Sequence, residues 1–356
     1  MGVLRKAAIG LGLVVALAAA PVLWIETRCQ RPRLAGEVAA SLLPPEERRA
    51  LVDTWLTYPE WSIVHAYEDF ARVGRTRGEA AFDYVGSVTG YWTSLCSLSG
   101  VASERGHIAT DMRVMLHIIG LSFSAEMAVK DAWESTIGRL AAWWRGPRPT
   151  AEDLFAADVN DAYAAFLRQT PWYEFPFGAT LLRFWRETPF GDVSLVRSAE
   201  RRIALSLEYG VKAVYAQVLG LAAGLAPARL RIRTVVRGLD EQDAVADPRI
   251  SVVERRPDGL SVIETPRYRA FTEVLLGLAE RQRGLVEIAG NREIFVTVIA
   301  PAGSTAPAET DLVLRVPIQS QPGFERLGLT VAVRNLPGLL MRTRTGPVVL
   351  EHVYDY

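Results

Sequence analysis

The sequence Ser124-Ala-Glu126-Met-Ala-Val129-Lys130 returns in altered form as Ser206-Leu-Glu208-Tyr-Gly-Val211-Lys212. Each copy lies in a long apolar stretch with helical periodicity. Each places a carboxylate four residues before an ammonium, which is the favourable order for an ion pair on a helix. The chain has only three lysines, and two of them occupy these matching positions. The repeated motif therefore predicts two equivalent helices that carry one Glu–Lys pair each.

The faces around these pairs are also mostly apolar. Helices that are apolar on nearly every side are normally buried, and a buried charge costs several kcal/mol unless it is paired. We therefore expect Glu126, Lys130, Glu208 and Lys212 to meet inside a helical bundle, as the chief candidate site. One interpretation is a structural cluster that fixes helix register. The other is a polar site for an anionic ligand or a proton.

Two weaker matches precede the motif in the same order along the chain. Residues 67–72 resemble residues 163–168, and Tyr91-Trp92 resembles Phe184-Trp185. This order predicts an internally duplicated, pseudo-twofold bundle. Its expected bounds are 34–227, with repeat halves at about 57–144 and 150–225. Residues 211–226 carry a single charge, but they are too short for a second membrane crossing and are interpreted as a buried bundle helix.

Other polar residues within the bundle are weaker candidates for a site: His65, Glu68, Asp161 and His117. A carboxylate-bridged metal centre would need a glutamate followed three residues later by a histidine, twice, and neither copy is present. No metal, cofactor or catalytic residue is therefore predicted. The tryptophans of the bundle are interpreted as core: Trp61, Trp92, Trp133, Trp143, Trp144, Trp172 and Trp185.

Residues 7–25 contain no charged side chain and follow a short head that carries Arg5 and Lys6. Nineteen such residues are about the length needed to cross a bilayer as a helix. A cleaved signal peptide is the main alternative, although Pro21 and the continuing apolar run disfavour cleavage. The expectation is a cytoplasmic head and transmembrane anchor within residues 1–30. The positive head favours a body outside the cytoplasm, whereas the arginines that follow the anchor favour the opposite side.

The two cysteines, Cys29 and Cys96, do not form a CxxC pattern, so a zinc site or a disulfide framework is not expected. A single bridge between them is geometrically possible. With no sequence signal to support it, Cys29 is interpreted as an ordinary thiol.

After about residue 228 the apolar pattern changes to a period of two, which predicts a mostly antiparallel β-sheet with one packed helix at 269–282. Pro257-Asp258-Gly259 and Gly290-Asn291 are each interpreted as hairpin turns. The predicted strands are 230–236, 250–255, 260–264, 285–289, 293–299, 312–317, 327–333 and 348–354. The overall expectation is an α+β protein with a C-terminal domain at 228–356.

The composition of the whole chain excludes some classes of function. The chain has 356 residues and no net charge, and it contains no nucleic-acid-binding motif. The leading hypothesis is a single-pass, membrane-anchored envelope protein, periplasmic and without enzymatic activity, that acts as a scaffold or assembly partner. Its predicted partners are the lipid bilayer, through residues 7–25, and another membrane or envelope protein. The alternative is a membrane-tethered enzyme or small-ligand carrier that uses a polar site inside the bundle.

Overall fold

The computed structural model of the chain describes residues 5, 16, 18–34, 40–223 and 230–356, and the side chains of 219–223 lie outside that description. Most of the predicted anchor at 7–25 therefore falls outside the described residues, which include only its positions 16 and 18–25. Residues 18–24 are helical and continue into a π-helical turn, Ile25–Cys29. This helix leads from the predicted anchor directly into the folded body.

Between residues 40 and 223 the chain contains eight α-helices. They are α1 (Asp53–Leu56), α2 (Tyr58–Arg77), α3 (Tyr84–Arg105), α4 (Thr110–Trp133), α5 (Arg139–Arg145), α6 (Ala151–Leu167), α7 (Phe177–Glu187) and α8 (Leu195–Ala223). A π-helical turn, Glu134–Gly138, joins α4 to α5. Asp83 caps α3 by accepting a hydrogen bond from Gly86 N at 2.7 Å, and Thr150 with Asp153 forms a capping box that starts α6.

Cys29 and Cys96 form a disulfide, with their Cα atoms 5.0 Å apart. The interpretation of Cys29 as an ordinary thiol is therefore wrong. The bridge forms because the turn Ile25–Cys29 packs on α3, a tertiary contact with no signature in cysteine spacing. Beyond the bridge, Leu34 N donates to Glu104 O at 2.9 Å. The chain at 29–34 thus runs in the same direction as α3.

The helices α4 and α8 are buried on one side only, which differs from the expectation that they are enclosed. Val129 is 70% exposed and Val211 is 66% exposed. The interpretation of the 211–226 stretch as a buried helix is therefore wrong for the outward side of residues 211–218, and the side chains of 219–226 lie outside the description. Trp143, Trp144 and Trp185 are also exposed instead of lying in the core. The reason is that no other described helix covers the side of α4 and α8 that faces away from α2 and α6.

The C-terminal part contains two four-stranded antiparallel sheets instead of one sheet. The first has the order β2-β3-β1-β4, and the second has the order β6-β7-β5-β8. The strands are β1 (Arg231–Arg237), β2 (Ser251–Arg255), β3 (Leu260–Pro266), β4 (Gly284–Ile288), β5 (Glu293–Pro301), β6 (Thr310–Pro317), β7 (Phe324–Ala332) and β8 (Val349–Tyr354). The class, mixed helix and antiparallel sheet, agrees with the expectation.

Three helices accompany the sheets, not the single helix that was expected: α9 (Glu241–Ala246), α10 (Arg269–Glu280) and α11 (Leu336–Thr345). The turn at Pro257-Asp258-Gly259 does join the paired strands β2 and β3. The hairpin expected at Gly290-Asn291 is wrong, because β4 and β5 belong to different sheets. There Ala289 and Gly290 adopt positive φ, and the chain crosses between the sheets.

The two sheets have the same connectivity. In each unit three strands precede a helix and a fourth strand, and the spatial order is second, third, first, fourth. The helices α10 and α11 contact each other between the units. The C-terminal part is thus built from two topologically equivalent units.

The bundle and the second sheet share one core. Phe295 on β5, Leu314 on β6 and Tyr354 on β8 belong to the same buried cluster as the aromatic residues of α2 and α3. Trp55 Nε1 on α1 donates to Thr330 Oγ1 at 2.8 Å, and Thr54 Oγ1 donates to Tyr354 O at 2.7 Å. The two parts are therefore packed against each other through α1 and α2.

Candidate functional site

The four charged residues of the repeated motif lie together between α4 and α8. Lys130 Nζ is 2.7 Å from Glu208 Oε1, and Lys212 Nζ is 2.8 Å from Glu126 Oε1. Lys212 is also 3.1 Å from Glu208, and Lys130 is 3.9 Å from Glu126. We call these four residues the Glu–Lys quartet. Each carboxylate thus lies between two ammonium groups, so the formal charges of the quartet cancel.

Aromatic rings cover the ammonium groups on the side of the core. Lys212 Nζ lies 5.1, 5.0 and 5.4 Å from the ring centroids of Tyr67, Tyr163 and Phe177. Lys130 Nζ lies 4.6 Å from the ring centroid of Phe70. These distances are those of cation–π contacts. The quartet is thus held between two helices and a layer of aromatic side chains.

Hydrogen bonds beside the quartet come in a matched pair. Trp92 Nε1 donates to Ser124 Oγ at 3.0 Å, and Trp185 Nε1 donates to Ser206 Oγ at 3.0 Å. The two serines open the two copies of the repeated motif, and the two tryptophans occupy matching positions in the proposed repeat. The two halves therefore make equivalent contacts at this level of the bundle.

A second ionic cluster lies toward the end of α4 and the start of α8, and sequence reasoning missed it. Arg201 is buried and lies 2.9 Å from both Glu79 and Glu134, and 3.3 Å from Asp153. Arg197 pairs with Asp153 at 2.9 Å. The members of the cluster, arginines included, come from four separate segments, so no spacing in the sequence joins them. A charged run near a helix end is more often solvated, which is why these arginines gave no signal.

His65 and Glu68 lie at the junction with the second sheet, and no described contact joins them to the quartet. His65 Nδ1 is 3.4 Å from Glu68 Oε2, and Glu68 accepts a hydrogen bond from Arg168 Nε. His65 Nε2 is 3.7 Å from Glu351 Oε2. Arg326 donates from Nε and Nη2 to the two oxygens of Glu351 at 2.5 and 2.7 Å.

Burial and ion pairing act in opposite directions on the two carboxyl groups of this junction. Burial raises the pKa of Glu351, but the charges and hydrogen bonds of Arg326 outweigh it and lower the pKa to about 2. Burial also raises the pKa of Glu68, but the hydrogen bonds from His65 and Arg168 outweigh the effect of burial. The pKa of Glu68 therefore falls to about 2. Both carboxylates are therefore ionised at neutral pH.

The remaining predicted residues lie apart from these clusters. His117 Nε2 is 2.9 Å from Glu26 Oε1, and Arg113 is 3.2 Å from the other oxygen of Glu26. Asp161 is on the surface, where Arg75 binds it at 2.5 Å. The structure thus places His117 at the end of the predicted anchor and Asp161 in a surface ion pair.

The described part of the chain contains no group of three His, Cys, Asp or Glu side chains arranged to hold a metal ion. No protein-family model, curated protein or solved structure matches this chain. The function must therefore be argued from the structure itself.

Two cavities contain predicted candidate residues, and neither of these cavities is lined by a residue of the quartet. One is small and is lined by Glu26, His117 and neighbouring residues. The other, of about 310 Å³, lies between α2, α3 and the strands β6 and β7. Of the predicted candidates, only His65 lines it.

One continuous helical stretch among the described residues, Thr110–Arg145, is long and apolar enough to cross a membrane by length and composition. Only 22% of its most apolar window is buried in the protein. A core helix of a water-soluble protein would normally be covered on more of its surface. The outward side of this stretch is therefore available to another apolar phase.

Proposed function

We propose that the chain is a membrane-anchored scaffold protein of the cell envelope. Residues 7–25 would form the anchor, and the outward side of α4 and α8 would lie against lipid. The bundle would hold the C-terminal α+β part at the membrane. The observation that carries the proposal is the exposed apolar surface of α4 and α8, beside the end of the predicted anchor.

This surface, called here the apolar face, consists of side chains on the side of each helix opposite to its buried residues. Each of its main members is at least half exposed: Val114, Ile118, Val129, Ile203, Leu207, Val211, Val214 and Val218. Contiguous apolar surfaces of this kind mark contacts with proteins or membranes. A helix of 24 residues, the length of α4, spans about 36 Å, somewhat more than the hydrocarbon core of a bilayer.

The direction of the anchor supports lipid as the neighbour of this face. From Cys29 to Leu34 the chain runs parallel to α3. The helices α3 and α4 are antiparallel, because only residues 106–109 join them and Trp92, in the first half of α3, contacts Ser124 in the second half of α4. Glu26 contacts the first turns of α4. The helix at 18–24 therefore approaches alongside α4 instead of from beyond its end. An anchor that enters in this direction brings the bilayer to the same level as the apolar face.

Two exposed tryptophans lie at the far end of the same helical stretch. Trp143 and Trp144 are 73% and 66% exposed. Arg145 and Arg148 follow them in the sequence. Tryptophan and arginine are favoured where a helix leaves the bilayer for water. Their position supports the placement of this helix against a membrane.

The disulfide and the charged head support a body outside the cytoplasm. Disulfides persist in oxidising compartments such as the periplasm and are rare in the cytosol. Arg5 and Lys6 favour a head that stays in the cytoplasm. The disulfide and the positive head therefore both favour a body on the periplasmic side of the membrane.

The quartet supports a structural role for the bundle interior. Every charge in it has an opposite partner within 3.1 Å, so the quartet needs no ligand to balance its charges. Buried ion clusters of this kind can specify how helices pair, and this structural role requires no ligand. The two helices that present the apolar face are thus fixed to each other by four charges.

Site-directed labelling tests the anchor and its orientation. Val245→Cys lies on the surface of the C-terminal part, and Arg5→Cys lies in the head. We expect a membrane-impermeant maleimide to label Val245→Cys, but not Arg5→Cys, in intact cells with a permeable outer layer. The unsubstituted chain is the control, because its two cysteines form the bridge. Labelling of Arg5→Cys alone, or recovery of the chain in a soluble fraction, would contradict the proposal.

A further inference from the structure

The larger cavity lies where the helical bundle meets the second sheet. Its volume is about 310 Å³, and its walls are α2, α3 and the strands β6 and β7. Ligand pockets in proteins begin at about this size. The cavity reaches solvent beside Arg315, whose side chain is 37% exposed. A small molecule can therefore enter without separation of the two parts.

Two buried polar atoms on α2 line this cavity without a hydrogen bond. The Tyr58 side chain is fully buried, and its hydroxyl group has no hydrogen-bond partner. His65 is 94% buried, and its Nε2 atom also has none, with the Glu351 carboxylate 3.7 Å away. Buried polar groups in proteins are nearly always satisfied. Two unsatisfied groups that line one cavity indicate a polar occupant.

The wall formed by α3 keeps the cavity open. Gly90 lies in the interior of this helix, where glycine is unfavourable relative to alanine. A Cβ atom at Gly90 would meet nothing within 4 Å, so neither close packing nor backbone conformation requires the glycine. Ser87 and Ser94 on the same wall are also small. A larger residue at position 90 would instead occupy the cavity.

The charges around the cavity determine the class of ligand. The two arginines of the wall are already paired, Arg326 with Glu351 and Arg315 with Glu325. Asp69 is saturated by Gln319 N at 3.0 Å and by the backbone and side chain of Ser320. Asp83 also lines the cavity, where its Oδ1 accepts from Gly86 N at 2.7 Å. Among the described residues neither Asp69 nor Asp83 has a cationic partner, so the lining carries negative charge and repels an anionic ligand.

The buried Tyr58 hydroxyl and His65 Nε2 are polar atoms that a neutral hydroxyl group of a ligand can bind. Burial raises the pKa of Tyr58 to about 12, although Arg326 opposes the shift, so the phenol is a donor at neutral pH. His65 Nδ1 faces the Glu68 carboxylate at 3.4 Å, and its Nε2 faces the Glu351 carboxylate at 3.7 Å. An alcohol group both donates and accepts, so it can pair with the phenol and with Nε2 of either imidazole tautomer.

We propose that the cavity between α2, α3 and β6–β7 binds an uncharged polyhydroxylated molecule of about the size of a monosaccharide, through Tyr58 and His65. The inference does not depend on the membrane placement. Ligand hydroxyl groups would complete the hydrogen bonding of the two buried side chains. Such a ligand would contact the bundle and the sheet at once, and so would stabilise their contact.

Calorimetric titration of the full-length chain tests the proposal, with glucose and myo-inositol as probes and citrate as a charged comparison. The detergent must lack a sugar headgroup, because maltoside would compete for the cavity. We expect saturable binding of at least one polyol at one site, and none of citrate. Tyr58→Phe should weaken that binding about tenfold or more, since it removes only the donor. Gly90→Leu should abolish it by occupying the space.

Tyr209→Phe is the matched control. The Tyr209 hydroxyl is also buried without a hydrogen-bond partner, but Tyr209 does not line the cavity, so this variant should bind as the unsubstituted chain does. Absence of saturable binding by both polyols, or preferential binding of citrate, would overturn the proposal. Equal weakening by Tyr58→Phe and Tyr209→Phe would also overturn it. If Gly90→Leu fails to fold, the comparison of the two tyrosine variants still decides the result.

Discussion

Replacement of either lysine of the quartet by methionine removes a charge and keeps most of the side-chain volume. The two lysines are not equivalent in the structure. Lys212 has a carboxylate oxygen at 2.8 Å and another at 3.1 Å, and it lies over three aromatic rings. Lys130 has one carboxylate oxygen at 2.7 Å and another at 3.9 Å, and it lies over one aromatic ring. We therefore expect Lys212→Met to be the more destabilising change.

The expected magnitudes follow from the contacts that each variant leaves behind. Removing one partner of a buried ion pair costs about 3–5 kcal/mol. The quartet side chains retain 10–28% exposure, so the lower value, about 3 kcal/mol, applies to Lys212→Met. Lys130→Met leaves Glu208 paired with Lys212 at 3.1 Å, and its cost should be about 1–2 kcal/mol. An unfolding entropy of about 0.75 kcal/mol/K for this chain length converts these costs to about 4 °C and about 2 °C in Tm.

The assay is thermal unfolding of the purified chain in nonionic micelles, followed by circular dichroism. Arg269→Met is the control, because it breaks an exposed helical pair on α10 and should cost less than about 0.5 kcal/mol. The double variant Lys130→Met with Lys212→Met should not equal the sum of the single changes, since both lysines share the same carboxylates. A larger effect for Lys130→Met than for Lys212→Met would refute the reasoning. Stability losses in both lysine variants that are no larger than the loss in Arg269→Met would also refute it.

Three further predictions concern other parts of the molecule. Cys29→Ala should cost about 4 kcal/mol, measured as a fall in Tm, because the bridge spans 67 residues; an unchanged Tm would exclude the bridge. Gly90→Ala should stabilise the chain by about 0.5–1 kcal/mol, whereas Gly120→Ala should destabilise it, because its Cβ would lie 2.3 Å from a tyrosine ring on α3; effects of the same sign would contradict this. The pKa of Glu351 is lowered to about 2 in the folded state, so its contribution to stability is present above about pH 4.5 and is lost as the pH falls toward 2. Glu351→Gln should therefore flatten the acid limb of a Tm–pH profile, and an unchanged slope would argue against the pairing.

The repeated Glu–Lys spacing predicted the quartet because its partners lie four residues apart on two helices of similar sequence. The cluster around Arg201 has no such regularity. Its carboxylates come from the loop before α3, the π-helical turn after α4 and the start of α6. Only the packing of these segments brings them together, so spacing along the chain could not reveal them.

The period of two located the strands of the C-terminal part to within a few residues. It could not show that they divide into two sheets, because alternation reports which side of a strand is buried and not which strand lies beside it. At Gly290-Asn291 the turn residues were recognised, but the chain leaves one sheet there for the other. The equivalence of the two units is visible only in their connectivity.

The apolar composition of α4 and α8 predicted burial, and the structure leaves half of each helix uncovered. Hydropathy does not distinguish a protein core from lipid, since both exclude water. The residues that decide between them are those on the apolar face, such as Val129 and Val211. Their surroundings depend on the direction from which residues 18–24 enter the bundle, and that direction is a tertiary feature.

The most direct test of the membrane placement is a photo-crosslink from the apolar face. A diazirine amino acid at Val129 or Val211, in cells that produce the full-length chain, reports by mass spectrometry what lies within a few ångströms. Val245, 84% exposed on the C-terminal part, is the control position. We predict phospholipid adducts at Val129 and Val211, and none at Val245. Adducts with water or with another protein at both positions of the apolar face, and no lipid adduct, would contradict the account.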